Sequence, residues 1–247
     1  MSSKFAKSAS IMSHLVAHYP SGPASLDVAR ELTDAGVSFL ELQFPFSDPT
    51  ADGPAIQAAC TTALEAGFRT ELGFEMVETL NRETEVPIFI MTYASIAVAH
   101  GVEWFVGRAR DAGAHGLIVP DLPPDYDEGL YAAGRNAGLH VVPVLVPSTP
   151  SRRVEAALAV EPAYVYSALR KGITGSLTEL GPENIAFLEQ LRGRGVHVMA
   201  GFGVRTREQV EALSGHADTV VVGSAFVDAI ASGGSVSGKA QELVWGG

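Results

Sequence analysis

The chain alternates between short apolar runs, which favour strands, and longer stretches with apolar residues at helical spacing. Eight apolar runs predict strands at residues 14–17, 39–44, 87–93, 116–120, 140–146, 164–168, 196–201 and 219–223. Helical spacing between them is clear at residues 25–35, 102–112, 125–137, 151–160 and 206–213. The repeated order of strand and helix predicts an α/β protein with a parallel sheet.

Two of these runs, residues 141–146 and 219–222, lack the alternation of polar and apolar residues that is typical of a sheet with one solvent-exposed face. Such runs suit parallel strands that are covered on both sides. An open doubly wound sheet would give the same local pattern, but eight units favour a closed (β/α)8 barrel, the TIM barrel. No linker rich in Pro, Gly or Ser divides the chain, so we predict a single domain over residues 1–247.

Composition narrows the class of protein. Hydrophobic residues make up 47% and charged residues 18%, as in ordinary globular proteins. The net charge of −11, without clusters of Lys and Arg, argues against nucleic-acid binding. No apolar run reaches the roughly 18 to 20 residues that cross a bilayer, and the N-terminus does not resemble a signal peptide. We therefore expect no membrane partner and a cytoplasmic location.

Cysteine usage gives a further limit. The single cysteine, Cys60, can form neither an intramolecular disulfide nor a zinc site of the CxxC type, which fits a reducing compartment. We expect Cys60 to be a small buried residue and not a nucleophile, because no neighbour in the sequence would lower the pKa of its thiol.

Reactive groups in a barrel lie where strands end and loops begin. The second predicted strand carries Glu41 among apolar residues, and the loop after it carries Asp48 and Asp52. A buried carboxyl group can act as a general acid or base near neutral pH. The alternatives are structural: Glu41 could bond a neighbouring group, and a loop Asp often caps a helix or forms an Asx turn.

Glycines occur in three consecutive late loops, at residues 172–175, 201–203 and 223–225. Glycine lets backbone N–H groups approach an anion, and the N-terminus of a helix adds a favourable dipole. Phosphate sites at the ends of strands seven and eight recur in barrels. The pattern therefore predicts a ligand that carries a phosphate group.

Residues 40–42, 45–49 and 51–57 read LEL, PFSDP and ADGPAIQ, and together they resemble the signature of tryptophan synthase α subunits. The likeness continues through residues 19–21, 91–94, 120–123, 166, 172–175, 201–203 and 223–225. It covers essentially the whole chain in order. A sugar-phosphate isomerase would share the glycine loops but would not need residues 45–57.

The resemblance implies a carbon–carbon lyase of tryptophan biosynthesis that cleaves indole-3-glycerol phosphate to indole and glyceraldehyde 3-phosphate in a retro-aldol reaction, without a metal or organic cofactor. By that resemblance Glu41 is the catalytic glutamate, which protonates indole C3 and acts as base. Asp52 is the second carboxylate, which accepts the indole N1 hydrogen. Thr174 bonds this carboxylate when its loop closes.

The resemblance also assigns the remaining site residues. Those implied to line the substrate site or flank the phosphate are Tyr166, Tyr93, Met91 and Phe202. Those implied to bind the phosphate are Gly175, Gly203, Gly223 and Ser224.

The family works with a pyridoxal-phosphate β subunit, so the resemblance implies an αββα heterotetramer. Four positions depart from the family: His14 stands where an aromatic is common, His18 and Gln43 where Gly is usual, and Ser95 where Asn is usual. These departures leave open a stand-alone lyase that releases indole. A non-catalytic barrel that only regulates a partner is a further alternative, but it would predict damaged catalytic positions.

Overall fold

The computed structural model describes residues 9–169, 180–201 and 203–246. Over this part of the chain, nine parallel strands form one sheet: β1 (Ser10–Val16), β2 (Phe39–Gln43), β3 (Ile88–Met91), β4 (Gly116–Ile118), β5 (His140–Val142), β6 (Val144–Leu145), β7 (Tyr164–Ala168), β8 (His197–Gly201) and β9 (Thr219–Val222).

Helices follow the strands, as predicted. In the described ranges they are α1 (Gly22–Asp34), α2 (Pro54–Glu65), α3 (Thr70–Glu83), α4 (Ala94–Val98), α5 (Val102–Asp111), α6 (Leu130–Ala137), α7 (Ser151–Ala159), α8 (Pro182–Arg192), α9 (Arg207–Leu213), α10 (Ser224–Ala231) and α11 (Val236–Trp245). Among them, none is both long and apolar enough to cross a membrane.

The sheet closes into the predicted barrel. Its strand order is β5-β4-β3-β2-β1-β9-β8-β7-β6, and its two ends, β5 and β6, are separated in the chain only by Pro143. Proline has no N–H to donate to a ladder, so Pro143 divides the fifth predicted strand into two. Its carbonyl still accepts a hydrogen bond from the Tyr166 N–H at 3.0 Å. Eight β/α units therefore produce nine strands.

Two predicted boundaries are wrong by more than three residues. The first strand begins at Ser10, four residues earlier than predicted, because its pairing with β9 starts there although serines interrupt the apolar run. The helix predicted from residue 125 begins only at Leu130, after a 3-10 turn at Pro124–Tyr126. The Asp127 carboxylate accepts hydrogen bonds from backbone N–H groups at the start of this helix, at 3.2 and 2.9 Å. Local bonding of this kind competes with helix formation.

Side chains of the strands alternate between two apolar layers. On β2, Leu40 and Leu42 pack outward against the helices, so Glu41 and Gln43 project into the barrel. The β1–β2 register places His14 directly beside Glu41. The interior thus receives three polar side chains from two adjacent strands.

Aromatic rings fill the amino end of the barrel. Phe39, Phe89 and Tyr164 meet edge to face, with ring centroids 5.3 to 6.3 Å apart. His115 and His197 pack against the same rings, each 5.1 Å from one of them. Because this end is occupied by side chains, the space that remains inside the barrel lies toward the carboxyl ends of the strands.

Phe44, which follows β2, is completely buried between the barrel and its helices. Its ring contacts Phe68, Phe74 and Phe105 at centroid distances of 5.2 to 6.2 Å. We expect Phe44→Ala to lower the free energy of unfolding by about 3–5 kcal/mol, because it removes apolar contacts and leaves a cavity. Urea unfolding measures this loss. The matched control is Tyr126→Ala at an exposed position, and an equal loss there would contradict the assignment.

Candidate active site

A cavity opens at the carboxyl ends of the strands. It is lined by His14, Glu41, Asp52, Ile56, Met91, Ile118, Pro120, Val144, Tyr166, Gly203, Val221, Gly223 and Ser224. The lining is mainly apolar, yet it contains two carboxyl groups that are each only 3% exposed. Buried carboxyl groups facing one apolar cavity are candidates for acid–base chemistry.

Glu41 enters the cavity from β2, and its nearest charged partner is His14 on β1. His14 Nδ1 lies 3.3 Å from Glu41 Oε2, which is ion-pair distance, although the contact lacks hydrogen-bond alignment. Burial by itself lowers the pKa of His14, but the Glu41 carboxylate, helped by Asp52 and Gln43, raises it above its ordinary 6.5. The protonated imidazole is therefore favoured beside Glu41.

Asp52 lies in the loop after β2 and is held by two donors. Gln43 Nε2 and the Tyr93 hydroxyl donate hydrogen bonds to Asp52 Oδ2, at 2.7 and 2.8 Å. Burial raises the pKa of Asp52; the charge of His14 and these two hydrogen bonds oppose the rise, and Glu41 adds to it. In contrast, Asp48 in the same loop is exposed and accepts a hydrogen bond from Ser47.

Tyr166 and Met91 both line the cavity. Burial and the two carboxylates raise the pKa of Tyr166 well above its usual value, so its phenol stays protonated. Tyr166 packs against Gly201, where an added Cβ would overlap the phenol ring. Tyr93 lies behind Asp52, where its ring stacks on Phe46 at 5.4 Å, and it does not line the cavity.

The three described phosphate-site candidates converge on one side of the cavity. Gly203 has φ 94°, which favours glycine, and Gly223 is the N-cap of α10, which begins at Ser224. The N-terminus of a helix attracts anions.

Arg205 Nη1 donates a hydrogen bond to Ser224 Oγ at 3.2 Å, and its guanidinium also pairs with Asp228. Sequence reasoning missed Arg205, although a cation two residues after a glycine-lined turn is a usable signal.

Three expected site residues, Thr174, Gly175 and Phe202, lie outside the described residues. Cys60 is buried, as predicted, and Gln43 Nε2 lies 3.5 Å from its sulfur. Burial and the charge of Asp52 raise the pKa of the Cys60 thiol to about 12. A thiol with so high a pKa is not nucleophilic at neutral pH.

Two further departures can be located. His18 has φ 68°, in the left-handed region that favours glycine, which accounts for the usual glycine of the family at this position. Ser95 is exposed on α4.

The chain is similar to known proteins in both sequence and fold. The family model described as tryptophan synthase alpha chain matches residues 1–244. The tryptophan synthase alpha chain of Helicobacter hepaticus is 36% identical over 227 residues, which is 88% of this chain and 84% of that protein.

Solved structures give the same result. A structure of Mycobacterium tuberculosis tryptophan synthase is 31% identical, with a TM-score of 0.90 over 98% of this chain and 93% of that chain. A structure of the tryptophan synthase α2β2 complex of Pyrococcus furiosus is 31% identical, with a TM-score of 0.86 over 95% and 97% of the two chains. The match along nearly its whole length shows that this chain belongs to the tryptophan synthase alpha chain family.

Proposed function

We propose that the chain cleaves indole-3-glycerol phosphate to indole and glyceraldehyde 3-phosphate, with Glu41 and Asp52 as its catalytic residues. The observation that carries the proposal is the placement of two buried carboxyl groups in one largely apolar cavity, next to a glycine-flanked helix N-terminus. The carboxyl groups suit proton transfer, the apolar wall suits an indole ring, and the helix end suits a phosphate.

The reaction requires a proton at indole C3, because an indole carbon is a poor leaving group until this position is protonated. In the proposal Glu41 delivers that proton. Asp52 accepts the indole N1 hydrogen and stabilises the positive charge that develops on the ring. The bond from C3 to the glycerol chain then breaks, with its electron pair returning to the ring. The hydroxyl on the glycerol carbon that was bonded to C3 gives its proton to Glu41 and becomes the aldehyde oxygen.

The phosphate binds in the proposal at Gly203, Gly223 and Ser224, with the start of α10 supplying backbone N–H groups. Arg205 helps to position the phosphate site, because its guanidinium donates a hydrogen bond to the Ser224 hydroxyl at 3.2 Å. The resemblance adds Gly175 to the phosphate site and Phe202 beside it, and gives Thr174 the role of bonding Asp52 on loop closure.

The proposal includes a β subunit as partner, in an αββα heterotetramer, and no cofactor in this chain. It is supported by the solved Pyrococcus furiosus α2β2 complex, whose 31% identical chain is matched over 97% of its length. The proposal also treats residues 1–247 as one domain and places the protein in the cytoplasm, where the single Cys60 stays reduced.

The test is indole release from indole-3-glycerol phosphate by the full chain, alone and with a tryptophan synthase β subunit. We expect slow release that rises strongly when the β subunit is added. Fast release that ignores the partner would favour the stand-alone lyase. Absence of release in both conditions would contradict the proposal and leave a phosphate-binding barrel.

The pH dependence of cleavage follows from the environment of Asp52. Because burial raises the pKa of Asp52, activity falls as pH decreases through that raised value and the carboxylate is protonated. The hydrogen bond from Gln43 lowers this pKa, so we expect Gln43→Leu to move the acid limb of the kcat/KM profile to higher pH. Tyr93→Phe, which removes the other donor, should shift it in the same direction. If the acid limb of the kcat/KM profile is unchanged in both variants, the hydrogen bonds to Asp52 do not control its protonation and the prediction is wrong.

A further inference from the structure

His14 changes the chemistry of a position where the family commonly has an aromatic residue. The imidazole is 5% exposed, lines the cavity and lies 3.3 Å from Glu41. A phenyl ring there would give only apolar contact, whereas an imidazole can carry a proton. His14 Nε2 and Glu41 Oε2 are both buried without a hydrogen-bond partner in the described part of the chain.

The charge balance of the cavity supports a role for this imidazole. Two carboxyl groups, Glu41 and Asp52, face an apolar space, and burying two negative charges together is costly without compensation. Of the described residues that line the cavity, His14 alone can carry a positive charge. Besides the two carboxyl groups, Gln43 on β2 interacts with His14, and Tyr166 on β7 and Ser224 on α10 line the same cavity.

We propose that His14 is a positioning residue that acts through Glu41: the two side chains hold one proton between them and form a single acid–base unit for cleavage. This inference rests on the proposed function. It adds a residue to the proton-transfer group that the family pattern does not predict.

The His14–Glu41 pair gives one proton and receives one during cleavage, so no other proton donor or acceptor is needed. Before cleavage the pair carries one proton on His14, whose Nδ1 lies 3.3 Å from Glu41 Oε2, and His14 supplies this proton to Glu41 for transfer to indole C3. A C–H bond forms at C3, and the bond from C3 to the glycerol chain breaks with its electron pair returning to the ring. The adjacent hydroxyl becomes the aldehyde and releases its proton to the pair. The unit ends with one proton, as it began.

The kinetic test compares the wild-type chain with His14→Phe and His14→Gln in the presence of a β subunit. We expect His14→Phe to lower kcat by about tenfold to a hundredfold, with KM changed less than about threefold. The pair loses its proton as pH rises through the pKa of His14, so wild-type activity should fall above that pH. This fall in activity at high pH, the alkaline limb of the profile, should be absent from both variants. His14→Gln should have a higher kcat than His14→Phe, because its amide can still donate a hydrogen bond toward Glu41.

Two outcomes would overturn the inference. The first is a His14→Phe variant with wild-type kcat and an unchanged pH profile. The second is a uniform loss at every pH with the alkaline limb intact, which a merely structural role predicts. Circular dichroism and glycerol 3-phosphate binding check that both variants are folded.

A second measurement does not depend on turnover. The imidazole of His14 can be titrated by NMR and assigned by the signal that is absent from His14→Phe. We expect a midpoint above 6.5 in the wild type and a lower midpoint in Glu41→Gln, because the Glu41 carboxylate is the larger of the two charges that oppose burial. An unchanged midpoint would contradict the pairing. If the wild type releases no indole, the proposed function fails, whereas the titration still decides whether the pair exists.

Discussion

Glu41→Gln is expected to abolish indole release, with kcat lower by about 10³-fold or more, while glycerol 3-phosphate binding stays within about twofold. The amide keeps the size of the side chain but cannot deliver or receive the proton at indole C3. Binding survives because the proposed phosphate site lies at the start of α10 and not on β2. Indole release under saturating substrate and calorimetric titration of glycerol 3-phosphate measure the two effects.

The matched control for this variant is Glu65→Gln, which changes an exposed glutamate at the end of α2. It should leave both quantities unchanged. Turnover near the wild-type rate in Glu41→Gln would remove Glu41 from the mechanism. Loss of phosphate-ligand binding together with activity would instead indicate that the substitution disturbs the whole cavity.

Asp52→Asn is expected to lower kcat/KM by about 10² to 10³-fold, because a neutral amide no longer stabilises the positive charge that develops on the indole ring. The substitution also disturbs the two donors that now converge on one carboxylate oxygen, from Gln43 and Tyr93. Initial rates at low substrate concentration measure the effect.

Asp48→Asn provides a close control, because Asp48 belongs to the same loop but is exposed. It should retain activity within about twofold, as surface substitutions usually do. Equal losses in the two variants would show that the loop matters as a whole and that Asp52 has no specific part in the chemistry.

The barrel could be predicted from the sequence because periodicity is a local property. The run at β9, which lacks polar alternation, and the helical spacing at α5 each identify an element without reference to any other. The residues at which helices and strands begin and end were harder to predict from the sequence. The late start of α6 depends on two hydrogen bonds that the Asp127 carboxylate accepts from backbone N–H groups, and the division at Pro143 depends on one missing N–H.

The candidate site divides in the same way. The inward position of Glu41 follows from strand alternation, so the sequence was sufficient to place it. The contact between His14 and Glu41 depends on the β1–β2 register, which the sequence does not specify. Tyr93 is 41 residues from Asp52 along the chain, and its hydrogen bond requires the fold to bring the two loops together. Arg205 was missed for a similar reason, because its partner Ser224 belongs to the following unit.

The proposed reaction is decided by the yield of both products from indole-3-glycerol phosphate, measured with the full chain and a β subunit and with Glu41→Gln in parallel. We predict equal molar amounts of indole and glyceraldehyde 3-phosphate from the wild type, and neither product above background from the variant. Substrate that persists unchanged with the wild type, or both products appearing at the wild-type rate from Glu41→Gln, would contradict the proposed function and the role of Glu41.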